Sequence, residues 1–233
     1  SYTYDAAGRL VQVSMNDGTG LAERERKARY LYDKVDRKIA EIQIVGEAGY
    51  VTEYVYDTSG RVVKKIQYEN ACTNLNSDEL AVLRPPASYF KDIVTRHFYD
   101  GRGVLVATLD AEGYLTEFVC DEALNQRAVK QYSKKVFGAN LHESLSILRL
   151  VVMDDLPENE VGYRLTQRQF NALGQLETEL NHEGTVTRYT YDEAGRLVRT
   201  ESAQNAVGEV RTNNVRYDVF GNVIGEIDGE GVR

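Results

Sequence analysis

A nine-residue segment, Tyr-x-Tyr-Asp-x-x-Gly-Arg-Leu, recurs along this chain and constrains its fold more than any other feature. Close copies occupy residues 2–10, 54–62 and 189–197, and weaker copies occupy residues 30–38, 97–105, 118–126, 168–176 and 215–223. Adjacent compact copies lie about 21 residues apart. Eight copies of one pattern predict a repeat array, in which each unit is stabilised by contact with the next.

Three positions of the motif are predicted to be structural: the second aromatic, the Asp or Asn after it, and the glycine. We assign these roles to Tyr4, Asp5, Gly8, Tyr32, Asp33, Tyr56, Asp57, Gly60, Tyr99, Asp100, Gly103, Asp121, Phe170, Asn171, Gly174, Tyr191, Asp192, Gly195, Tyr217, Asp218 and Gly221. Cys120 replaces the aromatic in one copy, as a small apolar side chain.

A second pattern, Asx-x-x-Gly, alternates with the motif. It occurs at residues 17–20, 110–113, 181–184, 205–208 and 228–231, and in degenerate form at 46–49. The Asx side chain accepts a backbone hydrogen bond two residues on, and the glycine tolerates a positive φ. The pattern therefore predicts a type I turn followed by a glycine bulge, which closes hairpins. Val-, Thr- and Tyr-rich segments between turns predict two short antiparallel strands per repeat.

The faces of these strands are mixed. In residues 186–191, Thr187, Tyr189 and Tyr191 share one face and Val186, Arg188 and Thr190 share the other. With 16 Tyr, 6 Phe and no Trp, we expect tyrosine rings stacked along a single-layer sheet and hydroxyls facing water. The predicted fold is mainly β: tandem hairpins in a curved, single-layer antiparallel strip, forming one array over residues 1–233.

Two helical insertions are predicted, at about residues 69–95 and 133–163. Each follows a Gln-Tyr pair and contains a capping-box pattern, at 76–79 and 140–143. Pro85 and Pro86 end the first helix, and Leu141, Leu145 and Leu148 share one face of the second. We favour helices that pack on the strip over helices that dock a partner, because two insertions occur at similar register.

Charge and hydropathy exclude several classes of protein. The chain has 28 Lys and Arg against 36 Asp and Glu, a net charge of −8, which argues against general binding of nucleic acid or anionic membranes. No apolar stretch approaches the roughly 20 residues that span a bilayer. The chain starts and ends inside a repeat, so we expect an internal fragment whose lack of targeting signals says nothing about the parent protein.

The sequence contains no recognisable catalytic or metal-binding motif. His97, His142 and His182 do not form a His-Glu-x-x-His pattern, and Cys72 and Cys120 are expected to be unpaired thiols. The Asx turns lack the later ligands of a calcium loop. We predict no cofactor, no metal and no enzymatic activity. Arg188, Tyr189 and Tyr191 are a candidate glycan contact, although cross-strand packing and cation–π contacts explain them more simply.

The motif followed by Asp-x-x-Gly-x-x-Thr-x-Tyr resembles the RHS (YD-repeat) family, which includes Tc-toxin shell subunits, polymorphic Rhs toxins and teneurins. The resemblance implies a bacterial secreted or cell-surface protein whose β-strip winds into a hollow shell, in toxins around a C-terminal toxic domain. The family's Asp-Pro self-cleavage junction is absent, because the prolines follow Arg84, Pro85 and Leu156.

The resemblance also defines the expected partners. These are neighbouring repeats of the parent protein and an enclosed toxin domain or surface glycans, with self-association through open strip ends. We expect a non-enzymatic structural scaffold. The alternative is an adhesin-like module that binds glycans or proteins.

Overall fold

Antiparallel hairpins follow one another along the chain in a computed structural model, which describes residues 1–15, 26–88, 91–123, 125–154, 161–204 and 210–229. The described residues contain sixteen strands, and their order in the sheet is their order in the sequence. The predicted class, a mainly β array of antiparallel hairpins with two short helical insertions, is confirmed.

The strands alternate with the motif turns. Their bounds are β1 (Tyr2–Tyr4), β2 (Leu10–Met15), β3 (Arg26–Tyr32), β4 (Lys38–Val45), β5 (Ala48–Tyr56), β6 (Val62–Gln67), β7 (Ile93–Tyr99), β8 (Leu105–Leu109), β9 (Leu115–Cys120), β10 (Gln126–Tyr132), β11 (Tyr163–Phe170), β12 (Leu176–Leu180), β13 (Thr185–Tyr191), β14 (Leu197–Gln204), β15 (Val210–Tyr217) and β16 (Val223–Ile227). Helix α1 (Leu80–Leu83) lies between β6 and β7. A 3₁₀ helix (Gly138–His142) and helix α2 (Leu145–Met153) lie between β10 and β11.

The chain divides into two compact units. The first contains residues 1–98 and 108–113, and the second contains residues 99–107 and 114–233. The first unit contains strands β1 to β7 except for Tyr99, the last residue of β7, and each of these strands pairs with the next in the sequence. Strands β9 to β16 of the second unit also pair in sequence order. Successive turns of an antiparallel meander lie at opposite ends of the strands. Within each unit, the motif turns therefore lie at one end of the strands, and the insertion lies at the opposite end.

The Asx-x-x-Gly turns at 110–113 and 181–184 have the predicted form. The N–H of Gly113 donates to the carbonyl of Asp110 at 3.1 Å, and that of Gly184 donates to Asn181 at 3.1 Å. Both glycines have positive φ. The predicted turns at 17–20 and 205–208, and part of that at 228–231, lie outside the described residues.

The degenerate turn predicted at 46–49 is wrong. Val45 pairs with Ala48, so Gly46 and Glu47 alone form the loop. Gly46 has φ 61° while Glu47 has no positive φ, which together fit a two-residue type II′ hairpin. Gly49 instead lies in β5, where a Cβ atom would come within 2.5 Å of Leu75 Cδ2. Its role is close packing against the insertion.

A local core forms in the first unit where the insertion packs on the sheet. The buried cluster contains Leu31, Ala40, Ile42, Ile44, Val51, Tyr68, Cys72 and Leu83. In the second unit the buried side chains include Leu115, Tyr132, Val136, Leu148 and Val152. The single-layer sheet is therefore covered at the insertions, where leucines of the insertions lie among the buried residues.

Neither insertion helix has the predicted capping box. The N-cap residues are Glu79 and Ser144, and neither side chain caps its helix. The Ser77 hydroxyl accepts the N–H of Glu79 at 3.0 Å, so a local serine turn replaces the cap expected from Asn76. Asn140 lies inside the 3₁₀ helix. The predicted apolar face of α2 does pack, since Leu148 is fully buried and Leu145 is half-buried.

None of the helices in the described ranges has the length and apolar character needed to cross a membrane.

Candidate functional site

Each motif turn is organised by its Asp or Asn side chain. Oδ1 of Asp192 accepts the N–H groups of Ala194 at 3.0 Å and Arg196 at 2.9 Å, and Oδ2 accepts Nε of Arg196 at 2.8 Å. The backbone N–H of Arg196 and then its guanidinium hold the pKa of the Asp192 carboxyl below its usual value. A single carboxylate thus fixes the turn and orients the arginine.

The same two backbone bonds recur in other copies. They form at Asp5, Asp33, Asp57, Asp100, Asn171 and Asp218. Asp121 accepts the N–H of Asn125 at 2.9 Å. Asp36 stands at the glycine position of the second copy with φ 65°, a conformation that aspartate tolerates better than most residues.

The motif arginine joins one repeat to the next. The guanidinium of Arg196 lies over the ring of Tyr217, with its carbon 4.8 Å from the ring centroid. Its Nη1 also donates to the carbonyl of Asp218 at 3.2 Å. Since Arg196 is bound to Asp192 in its own turn, one side chain connects an ion pair, a cation–π contact and the following turn.

Equivalent contacts occur at three other junctions. Arg9 lies over Tyr32 at 5.0 Å, Arg37 over Tyr56 at 4.7 Å and Arg127 over Phe170 at 5.3 Å. Arg127 is two residues beyond the usual position and still pairs with Asp121 at 2.7 Å. The expected stacking of one tyrosine on the next is thus replaced, at these junctions, by an arginine over the ring.

The motif tyrosine hydroxyl makes a second contact between repeats. Tyr32 donates to the carbonyl of Leu10 at 2.9 Å, Tyr56 to Lys38 at 2.7 Å, Tyr191 to Leu176 at 2.9 Å and Tyr217 to Leu197 at 3.0 Å. The acceptor is always the fifth residue after the Asp or Asn of the preceding motif. These hydroxyls therefore bind backbone and do not face water as expected.

A triad of side chains attaches the first insertion to the sheet. Glu53 on β5 accepts the Tyr68 hydroxyl at 2.7 Å and the Arg84 guanidinium at 2.7 and 2.8 Å. Burial and the bond to Glu53 raise the pKa of Tyr68 to about 12. Burial alone would raise the pKa of Glu53, but bonds from Arg84 and Tyr68 outweigh it and the pKa is lowered.

The second insertion has the same triad. Glu117 on β9 accepts the Tyr132 hydroxyl at 2.6 Å and the Nε of Arg149. Burial, and then the bond to Glu117, raise the pKa of Tyr132. Sequence analysis found the Gln-Tyr pairs but missed the acid. The available signal was a Glu 15 residues before the Tyr in both insertions.

The candidate catalytic and metal-binding residues are dispersed. His97 lies in β7, where burial and the charge of Lys65 lower its pKa. His142 ends the 3₁₀ helix and His182 lies in the 181–184 turn. Cys72 and Cys120 are free thiols. In the part of the chain that the structure describes, no group of three or more His, Cys, Asp or Glu residues could hold a metal ion.

The candidate glycan contact does not form one surface. Arg188, Tyr189 and Tyr191 lie in β13, and successive side chains of a strand point to opposite faces of the sheet. Arg188 is exposed on one face, while Tyr189 and Tyr191 are half-buried on the other. The Tyr191 hydroxyl is bound to the Leu176 carbonyl.

Comparison with known proteins matches part of the repeat array to a family. A family model described as RHS Repeat matches residues 170–210, while the sequence has no match among curated proteins. Among solved structures, TcdB2-TccC3-Cdc42 is 16% identical, with a TM-score of 0.63 over 98% of this chain and 10% of that chain. TcdB2-TccC3 is 17% identical, with a TM-score of 0.63 and the same coverage.

A Tc holotoxin pore from Photorhabdus luminescens is also similar, at 17% identity and a TM-score of 0.61 over 98% of this chain and 10% of that chain. This chain spans about a tenth of the length of these chains, and the likeness is one of fold. The match to the RHS Repeat model covers one stretch of the array, residues 170–210, and the fold of the chain as a whole is similar to that of the Tc toxin chains.

Proposed function

We propose that the chain is a non-enzymatic structural scaffold, a segment of the β-shell of a large secreted or surface RHS protein that encloses a toxin domain. The observation that supports this proposal is that the motif side chains bind one another and the backbone of neighbouring repeats. Asp192 fixes a turn, Arg196 joins that turn to Tyr217, and the Tyr217 hydroxyl bonds back to Leu197. The carboxylate, guanidinium and hydroxyl groups of the motif, which could act in catalysis elsewhere, here hold neighbouring repeats together.

The fold likeness supports the toxin-related part of the proposal. The similar chains belong to TcdB2-TccC3 complexes and to a Tc holotoxin pore. The wall of a shell requires repeats whose strands pair side by side in sequence order, and the hairpins of each unit pair in this way. We infer the enclosed domain and the secretion of this protein from that likeness in fold.

The adhesin-like alternative has less support. The residues offered for a glycan platform lie on opposite faces of β13, and one of their hydroxyls is bound to backbone. An extended strip would nevertheless use the same contacts between repeats. An experiment that shows what the full-length protein encloses therefore distinguishes the two functions.

Electron cryomicroscopy of the full-length gene product, combined with limited proteolysis, tests the proposal. We expect a closed shell with an internal cavity, and a terminal domain that resists protease until the shell is opened. An extended array without a cavity, together with saturable binding on a glycan array, would refute the scaffold and support the adhesin.

A further inference from the structure

The two insertions are anchored at equivalent positions. Glu53, Tyr68 and Arg84 in the first correspond to Glu117, Tyr132 and Arg149 in the second, and we call each set a Glu–Tyr–Arg triad. Glu and Tyr are 15 residues apart in both, and Glu and Arg are 31 and 32 apart. The residue before each arginine, Leu83 or Leu148, is 0% exposed.

The acid of each triad is buried while its arginine reaches solvent. Glu53 is 6% exposed and Glu117 is 7% exposed, and these are the buried charged residues of the described ranges. The Arg84 and Arg149 side chains are 45% and 51% exposed. A buried carboxylate is tolerated only when paired and hydrogen-bonded. Each insertion therefore supplies the cation that its strand glutamate requires.

The insertion helices depend on docking for their order. Helix α1 has 4 residues and α2 has 9, and neither has a side-chain cap. Isolated helices shorter than about 12 residues are marginal in water. Loss of the docking contacts would therefore unfold each helix together with the loop that carries it.

Backbone bonds mark where each insertion leaves the sheet. Cys72 and Gly49 exchange two backbone hydrogen bonds, at 2.7 and 2.8 Å. In the second insertion the N–H of Ser133 donates to the carbonyl of Gly162 at 3.0 Å. The segments beyond these bonds are described at 73–88 and 134–154, and side-chain contacts attach them to the sheet. Arg29 of β3 adds to those of the first segment, because it donates to the carbonyls of Leu75 and Ser77 and to the Asp78 carboxylate.

We propose that the described part of each insertion is a flap, closed by its Glu–Tyr–Arg triad and in the first insertion also by Arg29, that opens as one unit while the repeat sheet beneath it stays paired. Closure covers Ile42 and Val51 in the first unit with Leu83. Opening exposes this apolar surface. The chain thus contains the same conformational device twice, and each copy operates under its own triad. The proposal does not depend on the scaffold function.

Amide hydrogen exchange on the full 233-residue chain tests this. The reporters are the N–H groups of Leu83 and Arg84 for the first flap and Leu148 for the second. Asp57 reports on the motif turn that joins the paired strands β5 and β6, and all four N–H groups are hydrogen-bonded. The variants are Arg84→Met and Arg149→Met. The control is Arg102→Met, because Arg102 is 54% exposed and also pairs with a carboxylate, Asp100.

We expect Arg84→Met to speed exchange at Leu83 and Arg84 by at least about ten-fold, since it leaves Glu53 buried without its cation. Leu148 and Asp57 should be unaffected. Arg149→Met should speed exchange at Leu148 alone, and Arg102→Met should affect neither flap. Equal acceleration at the flap and at Asp57, or no acceleration at the flap, would overturn the proposal.

Tyr68→Phe provides a second variant if Arg84→Met fails to fold. It keeps the ring and the ion pair and removes only the hydrogen bond to Glu53. We expect a smaller acceleration at Leu83 and Arg84, again without change at Leu148 or Asp57. Unchanged exchange at Leu83 and Arg84 in this variant would contradict the role of the triad.

Discussion

Arg196 of one repeat lies over the ring of Tyr217 in the next, with its guanidinium carbon 4.8 Å from the ring centroid. The arginine is held in place by Asp192 and the tyrosine by the Leu197 carbonyl. Each residue is thus oriented by a contact other than the one between them. Such pre-oriented contacts lose little side-chain entropy on forming.

Replacing Gly195 tests the backbone requirement of the motif turn. Gly195 has φ 79°, so we expect Gly195→Ala to destabilise the protein by about 1–2 kcal/mol, the cost of a left-handed conformation for a residue with a Cβ. Urea denaturation measures this. Gly101 lies in another motif turn without a positive φ, and a Cβ there meets nothing within 4 Å. Gly101→Ala should therefore be nearly neutral, and equal losses would contradict the turn assignment.

Removing one motif hydroxyl tests the tyrosine-to-backbone bond. Tyr191→Phe deletes the donor to Leu176 and should cost about 0.5–1.5 kcal/mol, the usual net value of a hydrogen bond. The control is Tyr50→Phe, because Tyr50 is 47% exposed and its hydroxyl can bond to water. Thermal or urea denaturation compares the two. A Tyr191→Phe variant as stable as the wild type would show that this bond contributes nothing.

Acid should weaken the first triad. The folded pKa of Glu53 lies below its ordinary value of 4.5, so ionised Glu53 stabilises the fold above about pH 4.5 and this contribution disappears as pH falls through the folded pKa. The Glu53→Gln variant has no ionisable group at this position, so it lacks this pH-dependent contribution. The stability gap between wild type and Glu53→Gln should therefore be largest near pH 7 and should narrow below about pH 4. A gap independent of pH would exclude Glu53 as the source.

Alkali should act on the same triad through Tyr68. Its pKa is raised to about 12 from 10.0, so the neutral hydroxyl stabilises the fold fully below pH 10 and less as pH rises toward 12. Tyr68→Phe should lose less stability between pH 10 and 12 than the wild type does. Identical losses in urea denaturation at these two pH values would contradict the assignment.

The repeat determined what could be predicted from sequence. Asp192 and Gly195 act within their own turn, so local spacing was enough to assign the hairpins. The Arg196–Tyr217 contact joins residues 21 positions apart, and an arginine can reach a carboxylate, a ring or solvent equally well. The prediction therefore placed tyrosine on tyrosine and missed the intervening guanidinium.

The insertions were located but not explained. The Gln-Tyr pairs and leucine spacing predicted helices on the strip, but they did not distinguish Glu53 from the other charged residues of the strands. Its burial becomes visible only when Arg84, 31 residues away, is brought onto it by the fold. The first capping box failed because Ser77 bonds locally to Glu79, a competition between turn and cap that sequence spacing does not resolve. The second failed because Asn140 lies inside the 3₁₀ helix.

A double-mutant cycle on Arg196 and Tyr217 tests the central claim, that side chains couple each repeat to the next. Urea denaturation of Arg196→Met, Tyr217→Leu and the double variant should give a favourable coupling of about 0.5–2 kcal/mol. Arg37→Met combined with Tyr217→Leu is the control, because Arg37 lies over Tyr56 instead, and these two changes should add. Additivity in the Arg196–Tyr217 cycle would contradict the coupling of the repeats by this contact.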